Sequence, residues 1–359
     1  MKTISTALIA CALACATQSP AAAASTEKVL LSFNGMDGQE PYAGLLEIKG
    51  ELYGTTLAGG ADNGGTVFAF NPKTGVETTL VAFQDGSDAY AGPIDVSGTL
   101  YGTTYGGGAG NNGTVYALNA KDGRATVLYS FQNDGHPYAG LIIDAWGTLY
   151  GTSYGSGTEN DGMVYALAGD GTLTVLYSFD GTDGANPTAG LLDVKGTLAG
   201  TTLQGGAHGY GTVFSGNAMH SFGNGADGRD PYAGLIAVKE TLYGTTEAGG
   251  AYGHGTVFSF DPKTGAETVL YSFGANPYAA LINVKGTLYG TTYDGGTYGY
   301  GTVFSLNPGT DAETVLHSFG SGTDGRNPTA ALIDVKGTFY GTTGGGGAHG
   351  DGTVFSIDP

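Results

Sequence analysis

Basic side chains are scarce in this chain of 359 residues. Thirteen Lys and Arg face 32 Asp and Glu, a formal net charge of −19, and the arginines are Arg124, Arg229 and Arg326 alone. Nucleic acid and anionic membranes reward clustered Lys and Arg, so neither is an expected partner. Cysteine occurs only as Cys11 and Cys15, and tryptophan only as Trp146. No apolar run beyond the N-terminus approaches the roughly 18 residues that a membrane helix needs. No later segment shows a 3.6-residue period. Glycine, in contrast, is abundant at 68 residues, with 12 prolines. Together they approach the composition of disordered chains, but 40% hydrophobic residues argue for a packed core.

The N-terminus reads as a signal peptide over residues 1–24. Lys2 supplies a positive start, Ile4–Ala16 an apolar stretch and Ala21–Ala24 a small-residue cleavage zone. Export as a secreted or periplasmic protein is the expectation. Lipid attachment at Cys11 or Cys15 is the less favoured alternative, because neither cysteine combines the spacing and preceding residues that such a motif needs. Both cysteines lie in this segment, so a chain cut after Ala24 carries no disulfide and no thiol.

The glycine excess is periodic. Leu-Tyr-Gly-Thr-Thr recurs with its Tyr at 53, 101, 150, 243, 289 and 340, and Ala199 holds that place in a further copy. A Gly-Thr-Val-Phe-like run follows each time, ending at Phe68, Tyr116, Tyr165, Phe214, Phe258, Phe304 and Phe355. A Leu-x-Ser-Phe-like run and a Pro-Tyr-Ala-Gly-Leu-like run complete the unit. These short apolar runs, bounded by Gly, Pro, Asp and Asn, predict four strands per copy, A to D. In copy five they are Ala233–Val238, Thr241–Thr246, Thr256–Phe260 and Glu267–Phe273. Four antiparallel strands repeated seven times predict an all-β fold, a seven-bladed β-propeller. A single propeller over 25–359 is expected, with blades near 42–83, 90–131, 138–179, 188–222, 232–273, 278–319 and 329–357. A spare D-type strand at 29–33 supplies what the last copy lacks, so it should complete that blade and close the ring. A solenoid has no use for such complementarity and needs polar caps.

Strand order places the D–A and B–C loops on one face, the top. Sixteen acids fall there against Arg229 and Arg326, whereas the other face holds the remaining ten basic residues of the mature chain. Turn chemistry explains many of these acids, since Asp and Asn favour such loops. The B–C loops differ most between copies. His208 and Tyr210, Tyr252 and His254, Tyr298 and Tyr300, and His349 stand on four successive loops. Rings with an apolar face and a polar tip suit stacking on sugars, so these seven form the candidate ligand-binding set. Their plainer role is to cover their own loops. Tyr42, Tyr90, Tyr138, Tyr232 and Tyr278 open strand A and should rim the axial channel, where their repetition favours packing.

Little else in the sequence carries chemistry. Gly151–Gly155 matches a nucleophile elbow at Ser153 but is a copy of the strand B repeat with no helix after it, and Gly108–Gly113 matches a dinucleotide fingerprint but joins two strands instead of opening a helix. His220 and His317 fall inside D strands and read as packing residues. His208, His254 and His349 could hold a transition metal only by leaning together. The Asp-Gly-x-x-Pro pattern of the D–A loops reads as a turn more readily than as a weak Ca²⁺ site. No catalytic residue is assigned and no cofactor is specified.

Leu242–Thr246, Gly249-Gly250, Gly255–Phe258 and Tyr271–Phe273 resemble the bacterial GloVer tandem repeat, the "choice-of-anchor" family. The resemblance covers about residues 28–359. It implies an exported repeat protein of unassigned activity. The Asp261–Gly265 hairpin is similar to those of quinoprotein propellers, but their docking Trp is missing, so no quinone site follows. The favoured reading is a monomeric binding or interaction module for a glycan or cell-surface component, more readily a non-enzyme than an enzyme. The alternatives are a metal-dependent polysaccharide- or lactone-active propeller and a structural or protein-docking ring.

Overall fold

The computed structural model describes residues 27–84 and 86–359. The signal-peptide segment and Asp85 lie outside the described residues. Seven four-stranded antiparallel sheets form a seven-bladed β-propeller, and the described residues include no helix. Blade one runs Leu46–Ile48, Glu51–Thr56, Asn63–Asn71 and Val76–Gln84 from the axis outwards. Blade five runs Ile236–Val238, Thr241–Thr246, Thr256–Phe260 and Glu267–Ser272. Blade seven takes Ile333–Val335, Thr338–Thr343 and Thr353–Ile357 from one end of the chain and Glu27–Ser32 from the other. Glu27 lies opposite Ile357 and Ser32 opposite Thr353, and the Phe33 amide donates to the Gly352 carbonyl at 3.0 Å. The ring therefore closes with the N-terminal strand, as its sequence phasing requires.

The repeated residues have repeated structural duties. In strand B the glycine faces the strand C aromatic, Gly54 opposite Phe68 and Gly244 opposite Phe258. A Cβ on Gly244 would lie 2.6 Å from Phe258 Cζ, so the missing side chain is what lets the ring lie flat across the blade. The next Thr hydroxyl donates to an Ala carbonyl on the inner strand of the following blade. This happens at Thr55, Thr103, Thr152, Thr201, Thr245, Thr291 and Thr342, the last reaching Ala43 at 3.2 Å and closing the circle. The second Thr pairs with the Thr of the Gly-Thr-Val-Phe run in six blades, as Thr246 with Thr256 at 2.9 Å. Blade three has Ser153 and Met163 there, and the Ser153 hydroxyl donates to the Gly155 carbonyl. A buried hydroxyl needs such a partner, which accounts for the Thr-Thr pair without any catalytic role.

The core lies between blades. Val257 and Phe273 of blade five pack with Leu281, Leu288, Phe304 and Leu306 of blade six. Strand A is shorter than its sequence pattern, starting at Ile236 rather than Ala233. Residues 233–235 approach the axis, where Gly234 neighbours the Gly190 carbonyl of the preceding blade. Crowding of seven inner segments there, not ladder pairing, sets their side-chain size.

Candidate binding face and two interblade clusters

On the top face, the residue just before each inner segment sits in the left-handed backbone region in six blades: Glu40, Asp88, His136, Asn186, Asp230 and Asn327, with φ between 43° and 59°. Each non-glycine residue held this way costs on the order of 1–3 kcal/mol, and such residues cluster at functional sites. The carbonyl of each of the six accepts a bond from the residue that follows the Thr-Thr pair. Glu247 N donates to Asp230 O at 3.0 Å, and Tyr105 N donates to Asp88 O at 2.9 Å. The frame thus fixes two rings of varied side chains around the channel mouth. The second ring comprises Leu57, Tyr105, Tyr154, Leu203, Glu247, Tyr293 and Gly344.

Inside them lie the five tyrosines that open strand A. Tyr90 stacks on Tyr138 with centroids 4.0 Å apart, Tyr42 meets Tyr90 edge-on at 5.7 Å, and Tyr232 lies 5.8 Å from Tyr138 and 5.1 Å from Tyr278. Tyr105 joins Tyr90 and Tyr138 and stacks on His136 at 4.5 Å, while Tyr293 joins Tyr278 at 5.1 Å. Thr188 and Thr329 replace Tyr in blades four and seven and donate to the Tyr232 and Tyr42 carbonyls. An axial cavity of about 200 Å³ is lined by these residues and by the Ala and Gly that follow them.

The mouth is polar as well as aromatic. The Tyr278 hydroxyl donates to Glu247 Oε1 at 2.7 Å. Burial pushes the Tyr42 phenol up to about 12 and raises Tyr138 and Tyr232; a hydrogen bond with Tyr232 opposes the shift of Tyr42 and Tyr138, whereas both of those neighbours reinforce it at Tyr232. Burial, then the Glu247 charge, raises the Asp230 carboxyl. At neutral pH the mouth therefore offers neutral phenols, each able to donate and accept, beside carboxylates.

The seven loop residues expected from sequence are all exposed: His208, Tyr210, Tyr252, His254, Tyr298, Tyr300 and His349. Tyr252 is 71% exposed and Tyr298 51%. No ring contact joins any two of the seven among the described residues. Arg229 lies over the Tyr210 ring at 5.1 Å and Arg326 over Tyr300 at 4.5 Å. Tyr210 lies against Gly223, and Tyr300 and the Tyr298 Cβ against Gly320, so these cover neighbouring loops while Tyr252 is the most exposed of the four tyrosines. His208, His254 and His349 belong to no cluster of three ligating groups among the described residues.

The clusters that do form involve the histidines read as packing residues. His220, Asp227 and Glu267 make one, and His317, Asp324 and Glu27 the other, with one potential ligand atom per residue all within 4.8 Å of each other. His220 Nε2 is 2.9 Å from Asp227 Oδ2, and His317 Nε2 is 3.0 Å from Asp324 Oδ2. Burial, then the neighbouring Asp, pushes Glu267 and Glu27 up to about 7. Burial opposes the charged form of His220, but the Asp227 hydrogen bond and charge raise it overall. Strand order alone puts Glu267, at the start of strand D, on the face opposite Asp227. Twist accumulating across a blade swings the outermost strand away from the axis direction, and its first residue reaches the preceding blade.

The sequence profile of the Gloeobacter/Verrucomicrobia repeat matches residues 19–136, 132–275 and 215–359. Among curated proteins none matches the sequence. Solved structures similar in fold include an oligogalacturonate lyase from Vibrio parahaemolyticus, 10% identical over 92% of this chain and 93% of that one, with a TM-score of 0.58. Another is an oligogalacturonate lyase in complex with manganese, 12% identical over 94% of each chain, with a TM-score of 0.59. A third is the extracellular domain of a hybrid two-component system from B. thetaiotaomicron. It is 11% identical over 93% of this chain and 40% of that one, with a TM-score of 0.61. At these identities the likeness is one of fold. Among the described residues no helix is long and apolar enough to cross a membrane.

Proposed function

The chain belongs to the Gloeobacter/Verrucomicrobia repeat family, and on that premise we propose that it is an exported binding propeller that holds a carbohydrate on its top face. The observation that carries this reading is the connected set of aromatic rings at the channel mouth. Tyr42, Tyr90, Tyr138, Tyr232 and Tyr278 converge there, extended by Tyr105 and Tyr293 and edged by Asp88, Asp230 and Glu247. Sugar rings present apolar faces and many hydroxyls, and this surface offers aromatic edges and faces with phenol and carboxylate partners. His208, Tyr210, Tyr252, His254, Tyr298, Tyr300 and His349 form the outer wall of the same face, with Tyr252 and Tyr298 its most exposed tyrosines.

A glycan array followed by calorimetry on the best binder tests this. Tyr105→Leu and Glu247→Gln should each weaken binding about tenfold, on the order of 1.4 kcal/mol. Tyr252→Ala with Tyr298→Ala should do the same if the ligand spans both zones. Array binding that neither pair of variants alters overturns the reading.

A further inference from the structure

The two His-Asp-Glu clusters are the same construction built twice. In each, the His lies near the end of one blade's outermost strand, Ala218–Ser221 in blade four and Ala312–Ser318 in blade six. The Asp follows seven residues later in the loop to the next blade. The Glu is the first residue of the next blade's outermost strand, Glu267 in blade five and Glu27 in blade seven. The second copy draws its ligands from opposite ends of the chain.

The fold does not demand these residues. Where blade three meets four, Tyr177 holds the His position and its hydroxyl donates to Asp183. Where five meets six, Tyr271 holds it and reaches Glu313 at 3.4 Å. Where seven meets one, Leu31 stands there with Asp37 and Glu77. At these three junctions the position holds Tyr or Leu. At the last of them an Asp and a Glu also face each other, with the Asp37 charge raising Glu77, so it is the His that sets the other two junctions apart.

Each cluster also leaves donor capacity unused. The Asp227 side chain is 7% exposed, and its Oδ1 is shielded without a hydrogen-bond partner. Glu267 Oε1 and Glu27 Oε1 are likewise shielded and unpartnered. Buried carboxylate oxygens without donors are costly. A cation among the three side chains gives the paired carboxylates the positive partner they lack.

We propose that each cluster is a seat for one first-row divalent cation, of the Zn²⁺ or Mn²⁺ kind. His Nε2 and one oxygen from each of the two acids bind it, clipping blade four to blade five and blade six to blade seven. One imidazole with two carboxylates suits these ions better than Ca²⁺ or Mg²⁺, which prefer all-oxygen shells. The second clip pins the ring-closing strand. The proposal is independent of sugar binding, because both seats lie between outermost strands and not at the channel mouth.

The test uses the full chain, stripped with a chelator and dialysed. Titration with ZnCl₂ or MnCl₂ alone, followed by calorimetry and elemental analysis, should show two ions per chain. The melting temperature should rise with ZnCl₂ and not with equal MgCl₂ or CaCl₂. His220→Ala and His317→Ala should each remove one ion, and the double variant both. Glu267→Gln, milder for folding, should weaken one site at least tenfold and leave the other. No tight binding overturns the proposal. So does a stoichiometry that these variants leave unchanged, which would place the metal on exposed histidines such as His208, His254 or His349.

Discussion

Phe33→Ala tests whether the N-terminal strand is the seam of the ring. Phe33 is fully buried at the end of that strand. Its ring meets Phe68 of blade one at 5.1 Å, nearly edge-on, and it packs with Leu45, Leu52, Phe70 and Val354. It therefore ties blade seven to blade one through a strand that no loop tethers to its own sheet. Truncating a buried Phe to Ala costs about 3–5 kcal/mol, the transfer term plus the cavity left behind. That is a large share of a typical folding stability of about 5–15 kcal/mol. At about 2 °C per kcal/mol for a chain of this size, the melting temperature should fall by roughly 6–10 °C. Phe222→Ala is the matched control, since Phe222 makes the same contact with Phe258 at 5.0 Å between blades held by continuous chain. Both variants should lose similar stability in a circular-dichroism melt. Only Phe33→Ala should speed tryptic cleavage at Lys28, which lies in the closing strand and becomes accessible when that strand peels. A loss below about 1 kcal/mol, or equal cleavage in the two variants, would refute this account of closure.

Two further outcomes follow from the packing and the buried acids. Gly244→Ala puts a Cβ 2.6 Å from Phe258 Cζ and 2.9 Å from Leu235 Cδ2, so chemical denaturation should show a loss of about 1–3 kcal/mol from overpacking, partly recovered by adding Phe258→Leu. Burial, reinforced by the Asp37 charge and opposed by the Thr79 hydrogen bond, pushes Glu77 up to about 7. A carboxyl raised on folding stabilises fully below its unfolded pKa, and that contribution is lost as pH rises through the folded value. Metal-free protein should therefore have a lower urea midpoint at pH 8 than at pH 5, and Glu77→Gln should shrink the difference. An unchanged difference would show that Glu77 titrates as an ordinary surface acid.

The fold was legible because its determinants repeat along the chain. Leu-Tyr-Gly-Thr-Thr announced a strand, and the unmatched strand types at the two ends announced closure. The reasons for individual letters were not legible. The Gly faces an aromatic of the same blade, but the first Thr serves a carbonyl of the next blade, and no local pattern distinguishes the two duties. The outer-loop aromatics were found because their loops vary, yet Tyr210 and Tyr300 turned out to carry arginines. The metal-binding clusters were invisible for a different reason. Glu27 and His317 are near opposite ends of the chain, and strand order alone misplaces Glu267 because it ignores the twist that carries an outermost strand towards its neighbour.

Repetition within one chain nevertheless holds information about function that a single sequence otherwise lacks. Seven copies sit on nearly one backbone, so a residue found in all of them answers to the ring. A residue that differs at an equivalent position is not required by the ring, because other copies fold without it. The place after Thr-Thr takes Leu57, Tyr105, Tyr154, Leu203, Glu247, Tyr293 and Gly344, and those side chains surround the channel mouth. The place before Ser-Phe or Ala-Phe takes Leu31, Val81, Tyr129, Tyr177, His220, Tyr271 and His317. An aliphatic or phenolic side chain packs there in five copies. Packing alone therefore gives no reason for an imidazole in the other two, and in both of them an Asp and a Glu from beyond the strand come within 4.8 Å of it. Variation against a fixed frame thus points to the same residues that the geometry selects.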